Sequence, residues 1–160
     1  MARVTRRVVA VVAPILAALA LVACGDSGTA TSDRNAYAEK VNDAQTTFAT
    51  TVTSVARGAG AKSSVSQQQR TLRRFESAIE GVVADLKRID PPEEVADEHE
   101  QLISVLSRFG SDISQANDAM SNPTPRTIAS AQRRVQAATQ SVNSRVNGAI
   151  AAINAKLRAT

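Results

Sequence analysis

The stretch EEVADEHEQLISVLSRFGSDISQANDAM, residues 93–120, decides the fold class of this chain. One set of side chains recurs in it at alternating intervals of four and three residues, which is the period of one face of an α-helix. These positions are Val95, His99, Leu102, Leu106, Phe109, Ile113, Ala116 and Met120. In a half-buried strand, apolar and polar residues would alternate with a period of two, and they do not in this stretch. The spacing therefore predicts an amphipathic helix over about 92–121.

Two prolines separate this helix from the one before it. Pro91 and Pro92 end a helix predicted over about 65–90, because the residue before a proline avoids the α conformation. Ser64 followed by Gln67 predicts a capping box at the start of that helix. Its apolar face consists of Leu72, Phe75, Ile79, Val82, Leu86 and Ile89.

The first helix is predicted over about 34–57. Ser32 or Asp33 is the expected N-cap, and Gly58 and Gly60 follow the last turn. Its apolar positions are Tyr37, Val41, Ala44, Phe48, Val52 and Val55.

The last helix is predicted over about 125–158. Thr124 is the expected N-cap, and Pro125 occupies the first helical position, where its missing N–H costs nothing. The apolar positions are Ile128, Val135, Val142, Val146, Ile150, Ile153 and Leu157.

Four amphipathic helices joined by short turns can bury their narrow apolar faces only against one another. The sequence therefore predicts an all-α fold, an antiparallel up-down-up-down four-helix bundle over residues 34–160. Coiled-coil pairing with another chain is the competing arrangement. Turn signals at three places favour closure within one chain.

The segment before these helices has the three-part layout of an export signal. Arg3, Arg6 and Arg7 form a basic start, and an apolar run follows over 8–22. This run of about 15 residues is shorter than the ~20 that a membrane-spanning helix needs, so we predict a removed signal rather than a permanent span. Residues 5–9, TRRVV, also resemble a twin-arginine signal, and the export route stays open between the two.

The end of this signal resembles a lipobox, the pattern processed by lipoprotein signal peptidase. Leu21, Val22 and Ala23 supply the aliphatic, variable and small residues that precede Cys24. The resemblance implies cleavage between Ala23 and Cys24 and a covalent lipid on the Cys24 sulfur. Cys24 is the only cysteine, so it has no disulfide partner within the chain. We thus expect a signal peptide at 1–23, a lipidated cysteine and flexible tether at 24–33, and an address on the extracytoplasmic face of the cell membrane.

Composition argues against nucleic-acid binding. The net charge of +4 arises from 19 basic and 15 acidic residues. Three of the basic residues lie in the signal, which leaves 16 against 15 in the mature part. The chain has no tryptophan and one tyrosine, so it offers no aromatic platform for stacking bases.

His99 is the only histidine and lies beside a run of acidic residues. We interpret it as a side chain of the apolar face that caps the core or hydrogen-bonds a neighbouring helix. A divalent-cation site with Glu93, Glu94 or Asp97 is the weaker candidate, because position 96 is alanine where a paired-helix metal motif has glutamate. Acidic residues in a first helical turn are favoured by the helix dipole, which explains the run without a ligand.

Two groups of arginines form a basic patch that could touch anionic lipid or cell-wall polymer. The patch consists of Arg70, Arg73 and Arg74 on the second helix and of Arg133 and Arg134 on the fourth. Glu76 and Glu80 lie within helical reach of Arg73, so we interpret this face as solvated and salt-bridged.

The sequence contains no glycine-rich phosphate loop, no nucleophile elbow and no cysteine free to attack a substrate. We therefore expect a protein that is not an enzyme and has no cofactor apart from the lipid on Cys24.

The segment LKRIDPPEEVADEH, residues 86–99, resembles a pattern of small, functionally unassigned membrane lipoproteins of actinobacteria. In that pattern a helix ends at an aliphatic residue and two prolines, and an acidic helix with a histidine follows. The resemblance covers the lipobox and about half of the mature chain. It implies a helical fold and a membrane address, and it implies no particular activity.

Two hypotheses about function remain. In the first, the protein is a non-enzymatic envelope module that binds a protein partner or has a structural role at the membrane surface. In the second, it is a sensor or carrier that binds a small ligand or cation between its helices. The second predicts a cavity where Ala44, Ala78 and Ala116 thin the packing.

Overall fold

The computed structural model describes residues 29–57 and 64–159 of the chain. Over these residues it contains four α-helices, one turn of 3₁₀-helix and no strand, so the predicted all-α fold is confirmed. The elements are α1 (Thr29–Arg57), α2 (Val65–Lys87), the 3₁₀ turn (Glu93–Val95), α3 (Ala96–Asp118) and α4 (Pro125–Ala159). No helix in this part of the chain combines the length and the apolar character needed to cross a membrane. The predicted signal peptide 1–23 and the lipidation site Cys24 lie outside the described residues.

Local sequence signals set the start of two helices. Ser64 Oγ accepts a hydrogen bond from the Gln67 backbone N–H at 3.3 Å, and Gln67 Oε1 accepts one from the Ser64 N–H at 2.7 Å. Thr124 Oγ1 accepts a hydrogen bond from the Thr127 N–H at 3.1 Å, directly before Pro125. Both predicted caps are confirmed, because a capping oxygen needs only donors within its own first turn.

The start of α1 differs from the predicted position. The helix begins at Thr29 instead of Arg34, and it includes residues 29–33, which the sequence assigned to the tether. These five residues contain neither glycine nor proline, so the two strongest helix breakers are absent from them. Ser32 and Asp33, the expected caps, lie inside the helix.

The double proline shortens the helices on both of its sides. The helix α2 ends at Lys87 and not near residue 90, and α3 begins at Ala96 and not near residue 92. Val95 lies at φ −120° and ψ 7°, outside the helical range, and its side chain is fully buried. The 3₁₀ turn therefore joins the prolines to the regular ladder of α3.

The helix α3 lies at the centre of the packing and contacts both α2 and α4, while α1 packs on α2. All eight positions predicted for its apolar face are buried. The predicted faces of α1, α2 and α4 are buried over most of their length. In α2 and α4 the exceptions are Leu72, Phe75, Ile128 and Val135, which are half-buried. The side chains of Val52 and Val55 lie outside the described residues.

The half-buried apolar positions share one end of the molecule. Gln69, near the start of α2, donates a hydrogen bond to the Met120 carbonyl after the end of α3. Arg134, in the first half of α4, donates one to the Gln115 side chain near the end of α3. At the opposite end, the best-buried side chains include Tyr37 and Leu86. The predicted apolar faces of α2 and α4 are therefore more exposed in the first half of each helix than in the second.

Three helical glycines differ in the space around them. A Cβ at Gly110 would lie 3.3 Å from Cγ2 of the buried Ile79, so the absence of a side chain lets α3 approach α2 closely. A Cβ at Gly81 or Gly148 would meet no atom within 4 Å. Among these three, Gly110 alone lies in close contact with a neighbouring helix.

We expect opposite effects on stability from substitutions at these positions. Gly110→Val should lower the free energy of unfolding by about 1–3 kcal/mol, because the added methyl groups overpack the α2–α3 contact. Gly81→Ala and Gly148→Ala should each raise it by about 0.5–1 kcal/mol, since alanine is the better helix former. Urea denaturation followed by circular dichroism measures all three. A Gly110→Val chain as stable as the parent would contradict the close approach of α2 and α3.

Candidate functional site

The only histidine of the chain lies in a buried polar contact among three helices. His99, in α3, is 4% exposed. Its Nδ1 atom lies 3.1 Å from the hydroxyl of Tyr37 in α1, and its Nε2 atom lies 3.0 Å from the backbone carbonyl of Leu86 in α2. The Tyr37 and His99 rings meet edge to face, with centroids 5.6 Å apart. His99 therefore forms hydrogen bonds with two neighbouring helices, as the sequence interpretation expected.

The contacts determine which ring nitrogen carries the proton. A carbonyl oxygen can only accept, so Nε2–H of His99 donates to Leu86. In the neutral ring the other nitrogen is an acceptor, so the Tyr37 hydroxyl donates to Nδ1. Burial lowers the pKa of His99, although the hydrogen bond to the Leu86 carbonyl opposes part of this shift. Burial also raises the pKa of the Tyr37 hydroxyl, with a further contribution from Glu98. Both side chains are therefore neutral near pH 7.

Two ion pairs flank this contact. Arg34 Nε of α1 lies 2.7 Å from Glu94 Oε1 in the 3₁₀ turn, and Lys156 Nζ of α4 lies 2.8 Å from Glu98 Oε2 in α3. The hydrogen bond from Lys156 is the main cause that lowers the pKa of Glu98. For Glu94, a hydrogen bond with its own backbone lowers the pKa first, and Arg34 adds to it. We call the residues Arg34, Tyr37, Glu94, Glu98, His99 and Lys156 the polar cluster.

The polar cluster does not have the form of a metal site. Both ring nitrogens of His99 are engaged by Tyr37 and Leu86, and Glu94 is paired with Arg34. Within residues 29–57 and 64–159, no group of three or more His, Cys, Asp or Glu side chains is arranged to hold a metal ion. Glu93 and Asp97, the other candidate ligands, are exposed. The polar cluster provides hydrogen bonds and ion pairs between helices that are distant in sequence.

We expect the stability of the protein to decrease below pH 6.5. Unfolded His99 binds a proton near its ordinary pKa of 6.5, whereas the folded protein binds it only at lower pH. The unfolded state then holds more protons, so the free energy of unfolding is level above this pH and falls as the pH drops below it.

Urea denaturation at pH 7.5 and pH 5.5 measures the effect of His99. This range lies above the ordinary pKa of 4.5 of Glu94 and Glu98, whose pKa values are lowered further in the folded state. The chain has one histidine, so a His99→Gln chain should lose the pH dependence whatever its absolute stability. A variant that keeps the full pH dependence would contradict the assignment to His99.

A groove lies on the surface between α1 and α2, with a volume of about 570 Å³. Its apolar lining includes Phe48 of α1 and Ala78 and Val82 of α2. Thr47, Thr51 and Ser77 provide hydroxyl groups, and Arg73, Arg74, Gly81 and Asp85 complete the lining. We call this the α1–α2 groove. Asp85 is already paired with Arg88, outside the lining.

The acidic residues predicted to pair with Arg73 lie elsewhere. Glu76 and Glu80 line a second groove of about 320 Å³ between α2 and α3, together with Ser107 and Ser111. Neither forms an ion pair with Arg73, so the predicted salt-bridged face is wrong over this part of the described chain. The reason is that α2 packs between α1 and α3, which directs its arginines and its carboxylates into different grooves.

The small residues predicted to thin the packing do not share one cavity. Ala78 lines the α1–α2 groove, whereas Ala44 is buried in the main core. Ala116 belongs to a separate core cluster with Met120 and Ala131. The groove itself was not predicted. Its sequence signal is a pair of arginines followed along one side of α2 by small and apolar residues, which is also the pattern of an ordinary surface helix.

The two groups of arginines also remain apart from the polar cluster. Arg70, Arg73 and Arg74 are exposed in the first half of α2, and Arg133 and Arg134 are exposed in the first half of α4. The acidic residues of the 3₁₀ turn and of the start of α3 lie at the opposite end, beside the end of α4. The described part of the molecule is therefore electrostatically polarised along its helices.

Comparison of the chain with known proteins finds no matching protein-family model, no matching curated protein and no matching solved structure.

Proposed function

We propose that this protein is a membrane-anchored lipoprotein whose helical domain acts outside the cytoplasm as a non-enzymatic binding or structural module of the cell envelope. The observation that carries the proposal is the sequence Leu21, Val22, Ala23, Cys24 after a basic and apolar segment. A lone cysteine in an exported protein is an oxidation liability unless it is modified. Lipidation of Cys24 removes the thiol and supplies the anchor.

The start of α1 supports a short connection between anchor and domain. Five residue steps separate Cys24 from Thr29, and an extended chain spans ~3.5 Å per step, so Thr29 lies within about 18 Å of the lipidated residue. The end of the molecule that holds the polar cluster then faces the membrane. The arginines of α2 and α4 lie at the end directed into the envelope.

We infer that the four helices alternate in direction, as an antiparallel up-down-up-down bundle. Contacts at both ends support this arrangement. The start of α1, the end of α2, the start of α3 and the end of α4 meet at the polar cluster, through Tyr37, the Leu86 carbonyl, His99 and Lys156. The starts of α2 and α4 both contact the end of α3. Adjacent helices joined by short turns pack in this way in antiparallel bundles.

A binding or structural role fits the described side chains better than catalysis. The groups most capable of acid–base chemistry, His99 and its neighbours, are engaged in contacts between helices. The exposed arginines of α2 offer a surface for an acidic partner in the envelope. The near neutrality of the mature part and its few aromatic residues argue against nucleic acid as that partner.

A sensor or carrier of a small ligand is the second candidate function. The α1–α2 groove favours it, because its volume of about 570 Å³ falls within the ~300–1,000 Å³ typical of small-molecule sites.

The intact mass of the protein isolated from its own membrane tests the anchor. We expect a chain that begins at Cys24 and exceeds the polypeptide mass by a diacylglycerol group, with a further acyl group where the amine is modified. Digestion should place the added mass on the peptide that contains Cys24. A full 160-residue chain, or a mature chain with a free Cys24 thiol, would contradict the proposal.

A further inference from the structure

We propose that the α1–α2 groove binds a small anionic amphiphile. Its carboxylate or phosphate group would lie on Arg73 and Arg74, and its apolar part on Phe48 and Ala78. The proposal assigns a ligand class to the second candidate function, and it does not depend on the lipid at Cys24.

The charge of the groove selects an anion. Arg73 and Arg74 form no ion pair with any acidic residue of the described chain, and the nearest carboxylates of α2 in sequence line the other groove. Asp85, the one acidic residue of the lining, is neutralised by Arg88. A guanidinium group offers several N–H donors in a planar fork that matches carboxylate and phosphate oxygens. Both guanidinium groups lie in the lining without an acidic partner in the described chain, so the charge of the groove favours a negative group.

The rest of the lining selects an apolar body for the ligand. Phe48 of α1 and Val82 of α2 belong to the core and are 8% and 5% exposed, so each presents a small part of its side chain to the groove, and half-buried Ala78 adds aliphatic surface. Thr51 adds a hydroxyl group to the lining from α1, but this hydroxyl donates to the Thr47 carbonyl of its own helix. A fully polar anion such as inorganic phosphate would leave the apolar surface in contact with water. An amphiphile covers that surface, which adds about 25 cal/mol for each Å² removed from water.

Gly81 keeps part of the groove open. A Cβ at this position would meet no atom within 4 Å, so no neighbouring helix requires a glycine there. Glycine within a helix weakens it relative to alanine. A larger side chain at position 81 would occupy part of the groove, so glycine leaves that volume free.

Binding is measured on the mature lipidated chain in nanodiscs of neutral phosphatidylcholine, with empty nanodiscs subtracted. The probes are 1-naphthyl phosphate and 1-naphthoate, whose binding is followed by fluorescence anisotropy. Inorganic phosphate competes for the anion position alone, and 1-naphthylmethylamine carries the same ring with a positive charge. We expect both naphthyl anions to bind, the amine to bind at least about tenfold more weakly, and inorganic phosphate to compete poorly. The tighter of the two anions identifies the head group as phosphate or carboxylate.

Two pairs of variants test the location of the site. The double variant Arg73→Gln with Arg74→Gln should raise the Kd of the naphthyl anion at least about tenfold. Arg108→Gln with Arg145→Gln removes the same charge from exposed positions of α3 and α4 and should change it less than about twofold. Gly81→Leu should fill the groove and abolish binding, whereas Gly148→Leu on α4 should leave it intact.

Both leucine variants replace an exposed helical glycine at which a Cβ would meet no atom within 4 Å, so circular dichroism should show both folded. Equal affinity for the amine, or unchanged binding in Gly81→Leu, would overturn the proposal. The Cys24→Ala chain separates this inference from the anchor, because binding should persist where membrane attachment is lost.

Discussion

Replacement of Cys24 by alanine should remove all mature-length protein from the membrane pellet. The parent chain should remain in the pellet after a high-salt wash, because each buried methylene of an acyl chain contributes ~0.8 kcal/mol and two chains make a stable anchor. The variant has no sulfur to accept a lipid. It should persist only as a precursor that keeps residues 1–23, or as a cleaved chain in the soluble fraction. Fractionation followed by intact-mass analysis distinguishes the two species.

Ser27→Ala provides the matched control for this experiment. It changes one small residue three positions after the cysteine and leaves the sequence from Leu21 to Cys24 unaltered. We expect its distribution to match that of the parent chain. Mature-length Cys24→Ala protein in the salt-washed pellet would show that something other than the lipid holds the domain at the membrane.

Ile113→Ala should be among the most destabilising conservative changes in the described chain. Ile113 is 0% exposed in α3, the helix that packs on both α2 and α4. Truncation of a fully buried isoleucine costs about 2–5 kcal/mol through lost burial and the cavity left behind. A domain of this size has a total stability of about 5–15 kcal/mol, so this loss should shift the urea midpoint clearly.

Ile103→Ala is the matched control, since it makes the same change in the same helix. The Ile103 side chain is only partly buried against the core, so its truncation should cost about 1 kcal/mol or less. The difference in helix propensity between isoleucine and alanine is the same at both positions and cancels in the comparison. Equal losses in the two variants would contradict the buried position of Ile113.

The pattern of residues 93–120 predicted burial correctly at all eight positions, of which six lie in α3, Val95 lies in the 3₁₀ turn and Met120 follows the helix. This succeeded because a helix between two others has one continuous buried face, and the helical period locates that face from the sequence alone. The same reasoning overstated the burial of Leu72 and Val135, which belong to the correct faces but are half-buried in the first halves of their helices. Periodicity identifies which face of a helix is buried. It does not show how far along that face the neighbouring helices extend.

Helix boundaries were predictable where a local signal marks them. Ser64 and Thr124 cap the expected helices, because the donors they satisfy lie within three residues. The start of α1 was misplaced by five residues, since residues 29–33 contain neither glycine nor proline to mark a boundary. A helix without a stop signal extends until its hydrogen bonds no longer offset the entropy of ordering another residue.

The sequence by itself determined the helical class of the described chain, the buried face of α3 and two helix caps. These features depend on residues within a few turns of one another, so they can be read from local spacing. Only the tertiary structure decided that His99 meets Tyr37, 62 positions away, and that Arg73 and Glu76 line different grooves. Such contacts depend on which helices pack together and at what rotation, and many distant side chains set that choice jointly.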